Sequence, residues 1–341
     1  MTVRSVFVRG WGLVAAAFVV AVVSNATLTN VAFAQSGQAF SISPPLLDLS
    51  ADPGKNVTAT IKLTNVSSGP LVISSQVNDF GSKNETGEPN IIFDNKETPY
   101  SLKNWITPPA GFTLASKETR TVTVPINVPA NAEPGGHYAV VRFTGTAKGE
   151  GQNQVSLSAS IGSLVLLKVS GDVKQQAVVE EFYAAGKKYD KTSFFETGPI
   201  RLIARIKNEG NLHVKPTGTV VVTDSFGKDI ATLRMNGDPA KEDDTPRSIL
   251  PQSIRRFDTL LNEQNLFGRY KAVMNLSYGD GKTLTSTSYF WVIPYKMIIA
   301  IIALLVAIFF ALRFGLRRYN AFIVRKASAS PKENNDTSSK K

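Results

Sequence analysis

Met297 to Leu312 reads MIIAIIALLVAIFFAL, sixteen residues without a charge or a polar side chain. No other stretch limits the fold as much, because such a run must be buried in protein or in lipid. As a helix it spans about 24 Å at 1.5 Å per residue, short of a hydrocarbon core of roughly 30 Å. Counting from Val292 to Leu316 closes the gap, with Lys296 and Arg313 snorkelling to the two interfaces. Trp291 and Tyr295 suit the outer interfacial belt, and Arg313, Arg317 and Arg318 suit the cytoplasmic side. A buried core helix is the competing reading, but the residues after the run offer it nothing to pack against. The expected topology is single-pass and type I in the cell membrane, with an extracellular ectodomain. A transmembrane helix over 293–316 and a basic cytoplasmic tail over 317–341 complete it.

The formal charge of +11 would suggest nucleic acid in another arrangement. From Arg313 onward, however, eight Lys/Arg stand against two Asp/Glu, and Arg4 and Arg9 add two positive charges at the other end. Only +3 remains for residues 35–312. The basicity follows membrane topology, and nucleic acid is dropped as a partner. The chain has no cysteine, so an exported protein of this length relies on its cores and leans toward a bacterial surface. A hydrophobic fraction of 43% is enough to build those cores.

Arg4 and Arg9 precede an apolar run from Trp11 to Val23, and Ala32-Phe33-Ala34 follows. This pattern predicts a signal peptide over 1–34 cut after Ala34; an uncut N-terminal anchor is the alternative, because the stretch between run and site is long. No cysteine is present for lipidation there.

The interior reads as β structure. Val57, Ala59, Ile61 and Leu63 alternate with polar neighbours, and so do Val122, Val124, Ile126 and Val128. His137–Phe143 and Leu164–Val169 continue the pattern. Turns fall at Pro53-Gly54, Ser67-Ser68-Gly69-Pro70 and Pro134-Gly135-Gly136. These features predict a first immunoglobulin-like sandwich over 35–172. Ser170–Gln176 reads as a short linker, and a second sandwich is expected over 178–292. Its strand candidates are 178–183, 200–207, 217–223, 255–261, 269–277 and 283–292, with a hairpin turn at Asp280-Gly281. The fold class is therefore all-β, two tandem immunoglobulin-like β-sandwiches followed by one transmembrane α-helix. Asp79–Thr107 breaks the rhythm: it is polar, yet holds Phe93, Tyr100 and Trp105. A connection of that length is either a recognition loop or a cover for an open end of the core.

Catalytic chemistry is not legible. The two histidines, His137 and His213, lie in no metal-ligand spacing, and neither a thiol nor a G-x-S-x-G elbow exists. Asp238, Glu242, Asp243 and Asp244 cluster without the regular spacing of a calcium loop and read as a solvated acidic loop. No catalytic residue, metal or cofactor is assigned. Sequons at Asn56, Asn65, Asn84 and Asn275 are common in β-sandwich surfaces and mean little in a bacterial chain.

Three pieces carry a family resemblance. They are Phe40–Pro45 with Asp52-Pro53-Gly54-Lys55 and Ile61–Asn65; Val128-Pro129 with Gly135–Tyr138 and Val140–Phe143; and Lys207–Asn211 with Leu250–Ser253 and Gly268–Ala272. The chain resembles the bacterial surface proteins that interact with WxL proteins, which have a signal peptide, two immunoglobulin-like domains, a C-terminal membrane helix and a basic tail. That resemblance implies peptidoglycan as a partner of the first domain and surface proteins as partners of the second. Pro53-Gly54 is expected to reverse the chain and Gly210 to permit a positive φ. The sandwich pattern is also similar to pilus-chaperone-like domains, which bind by strand addition.

The expectation is a non-catalytic, membrane-anchored adaptor that binds cell-wall polymer or surface proteins, with Phe93, Tyr100 and Trp105 as ligand-binding residues. The alternative is an accessory or chaperone-like subunit of a membrane complex, in which Ala300, Ala303, Ala307 and Ala311 let α-helices approach closely.

Overall fold

The structure, a computed structural model, describes residues 40–94, 98–147, 158–237 and 244–328. The expected signal peptide and cleavage after Ala34, the acidic residues Asp238, Glu242 and Asp243, and residues 329–341 of the expected tail lie outside the described residues.

The first sandwich contains β1 (Phe40–Ser43), β2 (Leu46–Ala51), β3 (Asn56–Asn65), β4 (Leu71–Ser82), β5 (Pro89–Ile92), β6 (Phe112–Leu114), β7 (Thr119–Asn127), β8 (Gly135–Ala147) and β9 (Ser158–Val169). One sheet runs β1-β3-β7 and the other β2-β9-β8-β4-β5, with β6 also on β4. The alternating runs become β3 and β7, which pair antiparallel with Ile61 opposite Val122. Their apolar faces, with Ile61, Leu63, Val124 and Ile126 fully buried, meet Val141, Phe143, Val165 and Leu167 of the facing sheet. At the Pro53-Gly54 turn Gly54 has φ +75°, and Lys55 N–H donates to the Asp52 carbonyl at 3.1 Å.

The second sandwich contains β10 (Ala177–Ala185), β11 (Phe194–Phe195), β12 (Ile200–Asn208), β13 (Thr217–Thr223), β14 (Asp229–Met235), β15 (Ile254–Leu261), β16 (Gly268–Tyr278) and β17 (Lys282–Val292). Its sheets run β10-β12-β15 and β11-β17-β16-β13-β14. Leu202, Ile206, Phe257, Met274 and Phe290 are buried in the core between them. The Asp280-Gly281 turn joins β16 to β17. β14 is absent from the strands expected from sequence, although Ala231, Leu233 and Met235 alternate with the exposed Thr232 and Arg234.

Several sequence expectations change. The C-terminal helix runs to Ser328, past the end expected at 316 and into the expected tail, and Gly135-Gly136, expected in a turn, open β8. Asp79–Thr107 is not one irregular connection. Asp79–Ser82 completes β4 and pairs with β5, and a 3₁₀ turn forms at Lys103–Trp105. Gly210 does not occupy the left-handed region; glycine is needed there because a Cβ would lie 2.1 Å from the Lys174 carbonyl oxygen. That closeness reflects how the 170–176 connection is held. Asn211 accepts Lys174 N–H on its side-chain oxygen at 2.7 Å and donates its own N–H to the Lys174 carbonyl at 3.0 Å.

α1 (Tyr295–Ser328) follows β17 after only Ile293 and Pro294. Its apolar stretch packs against neither sandwich, so it is not a core helix of either one.

Candidate functional site

Phe93, Tyr100 and Trp105 take three different environments. Phe93 follows β5 and is 67% exposed, with the Arg142 guanidinium 4.9 Å from its ring centroid. Tyr100 is half-buried and meets Tyr138 edge-on at 6.3 Å. Trp105 packs on the core and on the His137 ring at 4.3 Å. The His137 ring nitrogens sit 2.9 Å from the Glu133 carbonyl and 3.3 Å from the Ser101 carbonyl, so this histidine is a structural member of the fold. Phe93 and Trp105 line separate shallow hollows that share Thr98 and Pro99, and Tyr100 faces inward between them.

A second set of polar residues joins the two sandwiches. Tyr138 on β8 is buried, and its hydroxyl oxygen accepts the backbone N–H of His213 at 3.0 Å. His213 reaches the Asp48 carboxylate on β2 at 3.3 Å, and Lys215 pairs with the same carboxylate. The hydrogen bond from His213 holds the Asp48 carboxyl down at about 2; burial opposes this and Lys215 reinforces it. Burial pushes the Tyr138 phenol up. Gly136 N–H donates to the Asn211 carbonyl at 2.8 Å, and a Cβ on Gly135 would lie 2.7 Å from that carbonyl oxygen. The glycine pair therefore permits the close approach of the two sandwiches.

The tip of the β4–β5 hairpin makes the other contact. Glu85 receives two hydrogen bonds from Arg205 on β12, at 2.8 and 2.5 Å, and its carbonyl accepts Arg256 N–H of β15 at 2.7 Å. Arg205 lowers the Glu85 carboxyl. Between these contacts lies an apolar cluster of Phe80, Tyr138, Val140 and Leu166, joined by Leu250 from the second sandwich.

Beside that cluster a cleft of about 510 Å³ opens between the sandwiches, walled by Pro44, Phe80, Leu164 and Leu166 on one side and by Leu250 and Arg255 on the other. Arg255 donates from Nη1 to the Ser248 carbonyl at 2.7 Å. Among the described residues its Nε and the Ser248 hydroxyl are buried without a partner. Burial, with the nearby charge of Arg247, brings the Arg255 guanidinium down to about 10. A desolvated cation with an unused N–H beside an apolar wall suits an anionic group on an apolar body.

The third feature is an edge. β2 pairs with β9 only from Leu164 to Val169. Ser158–Ser163 pairs with β8 on one side and has no strand on the other among the described residues. Leu164 N–H points outward to the Pro45 carbonyl, so the alternation of an antiparallel strand turns the backbone groups of Ser158, Ser160 and Gly162 outward too. The run SASIGS has no charge and no proline. Three other edges carry protective features: β7 carries Arg120 and Pro125, β10 has a bulge at Val179–Glu181, and β15 is engaged by Glu85.

Neither the junction nor the β9 edge is apparent from sequence. Asp48, Tyr138 and His213 are far apart in the chain, and Ser158–Ser163 has too few apolar residues to read as a strand. The absence of charge and proline from that run is the one usable signal.

No family model and no curated protein matches the chain. Solved structures do. The class 5 fimbriae chaperone CfaA is 16% identical, covering 73% of this chain and 99% of its own, with a TM-score of 0.38. The E. coli chaperone DraB is 14% identical over 73% and 96%, with a TM-score of 0.33. The CsuC–CsuE chaperone–tip adhesion subunit complex of Acinetobacter baumannii is 11% identical over 73% and 98%, with a TM-score of 0.34.

Proposed function

We propose that this chain is a non-catalytic, chaperone-like or accessory protein that holds an extended segment of a surface protein along β9, while α1 keeps it in the cell membrane. The unpaired edge at Ser158–Ser163 carries this reading. An uncharged, proline-free edge is a template for another strand, and strand addition supplies affinity through main-chain hydrogen bonds. Both histidines are already engaged in structural contacts, which supports a binding role rather than a catalytic one. Membrane anchorage is supported by the exposed apolar side chains along α1, which water would not tolerate. The arginines at 313, 317 and 318 favour an inside C-terminus.

The test is photo-crosslinking in native membranes from a benzoylphenylalanine placed at Ser160 in the full chain. A discrete adduct with one surface protein is expected. The edge variant is Ser160→Pro, read with the crosslinker moved to Ser158; Ile161 is left alone because it packs on the core. The proline removes an outward N–H that the fold does not use, and it should abolish the adduct while leaving thermal unfolding nearly unchanged. An adduct that survives the proline contradicts strand addition.

The wall-adaptor reading rests on a different observation, the exposed Phe93 ring, which is a suitable stacking face for a sugar. Loss of sedimentation with purified sacculi in Phe93→Ala would support it, and a chain that never sediments would remove it.

A further inference from the structure

Among the described residues, one end of the second sandwich gathers several exposed aromatic side chains. The register of its larger sheet brings Phe194 beside Trp291, Trp291 opposite Arg269, and Thr223 opposite Lys271. The Asp224–Lys228 turn is tied to the same end, where the Ser225 hydroxyl donates to the Arg269 carbonyl at 3.0 Å. Three phenylalanines project there, with exposures of 68% for Phe194, 96% for Phe226 and 71% for Phe267. Trp291 and Tyr289 are exposed beside them, and so are Lys228, Arg269 and Lys271. Single exposed rings are ordinary, but three at one end mark an interaction surface, here rimmed by Lys228, Arg269 and Lys271 together with Asp224, Asp229 and Glu263.

α1 leaves from this same end, with little slack. Trp291 N–H donates to the Ser193 carbonyl at 2.7 Å and Ile293 N–H to the Phe195 carbonyl at 2.8 Å, so β17 stays clamped to its last residue. Lys296 in the first turn of the helix pairs with Glu196 of the sandwich at 2.7 Å. From Val292 to Tyr295 the chain can span at most about 11 Å. The apolar run begins at Met297, so the phenylalanine-bearing end cannot stand far from the membrane that the helix enters.

We infer that Phe194, Phe226, Phe267 and Trp291 seat this end of the second sandwich in the interfacial layer of the phospholipid bilayer, with Lys228, Arg269 and Lys271 facing lipid phosphates. The inference rests on the membrane-anchored reading above. Aromatic rings prefer the headgroup layer, and basic side chains around them complement its phosphates. The occupant is lipid rather than a second copy of the chain because the surface is continuous, across only Ile293 and Pro294, with a helix long and apolar enough to cross a membrane. Seating would fix the tilt of the ectodomain, so the sandwiches would stand at a set angle to the membrane instead of swinging on a tether.

Because the chain has no cysteine, a single introduced thiol can be labelled without background. The full chain is reconstituted in phosphatidylcholine–phosphatidylglycerol vesicles as three variants, Phe226→Cys, Phe267→Cys and Asp280→Cys, each carrying an environment-sensitive fluorophore. Asp280 lies in the β16–β17 turn at the opposite end of the sandwich. Labels at 226 and 267 are expected to be quenched several-fold more by headgroup-proximal spin-labelled lipid, and less by aqueous iodide, than the label at 280. Co-flotation of the chain with vesicles is scored in the same samples. A chain that floats while all three labels respond alike to iodide overturns the seating and leaves the anchor standing. Labels shielded from both quenchers and crosslinked to each other overturn it in favour of a second copy. A chain that does not float overturns the anchor and the seating together.

Discussion

The Tyr138 hydroxyl oxygen accepts the backbone N–H of His213 at 3.0 Å, joining two buried groups from different sandwiches. The same oxygen lies 3.3 Å from His213 Nδ1, and His213 Nε2 lies 3.3 Å from Asp48. These distances fit a phenol that donates to Nδ1 and an imidazole that donates from Nε2 to the carboxylate. Rotating one sandwich against the other would leave each of these groups desolvated and unpaired, which is how a few bonds set the angle between domains.

Tyr138→Phe keeps the ring and removes the oxygen, stranding the His213 N–H. The expected cost is about 1–3 kcal/mol in denaturant unfolding of the purified chain. A variant as stable as the parent would mean that the junction is not closed in solution.

Asp48 supplies a pH signature. Its carboxyl is held at about 2 instead of the ordinary 3.8, so the folded state favours the ionised form. That contribution is complete above about pH 4 and is lost as pH falls toward about 2. Melting temperature followed from pH 6 to 2 should therefore fall less steeply below pH 4 in Asp48→Asn than in the parent. Parallel curves would separate Asp48 from acid stability.

Glu85→Gln weakens the pair with Arg205; the arginine and glutamate side chains are 27% and 36% exposed, so little overall stability is at stake. The effect should appear locally. Hydrogen exchange at the Arg256 amide, which donates to the Glu85 carbonyl, is expected to accelerate about tenfold, or 1.4 kcal/mol of opening. Unchanged exchange would mean that the hairpin tip docks without the ion pair.

Arg255 is a desolvated cation with an unused donor, so Arg255→Met should be neutral or raise stability by up to about 1 kcal/mol. A clear loss of stability would show that the guanidinium is compensated in the free protein.

Much of the fold is legible in the sequence because its signals are local. The alternation at Val57–Leu63 and Val122–Val128 marks two core strands, Asp280-Gly281 marks a hairpin, and Met297–Leu312 marks the helix. What is not legible depends on non-local pairing. Nothing near Asp48 announces His213, and Glu85 in a polar hairpin tip gives no hint that it reaches Arg205 across the junction. Ser158–Ser163 is a strand because β8 is long enough to pair with it, not because its own residues favour one. Gly210 reads as a conformational glycine and is a steric one, a distinction visible only once Lys174 is placed against it.

The most direct measurement is residue-resolved amide exchange along β9 in the full, unsubstituted chain, alone in detergent and again with the surface protein that the crosslinking identifies added in excess. The free-edge account predicts fast exchange at Ser158, Ser160 and Gly162 in the isolated chain, slow exchange at Ala159 and Ile161, and protection of all five in the complex. Slow exchange at the outward amides of the isolated chain, or fast exchange there in the complex, would contradict it.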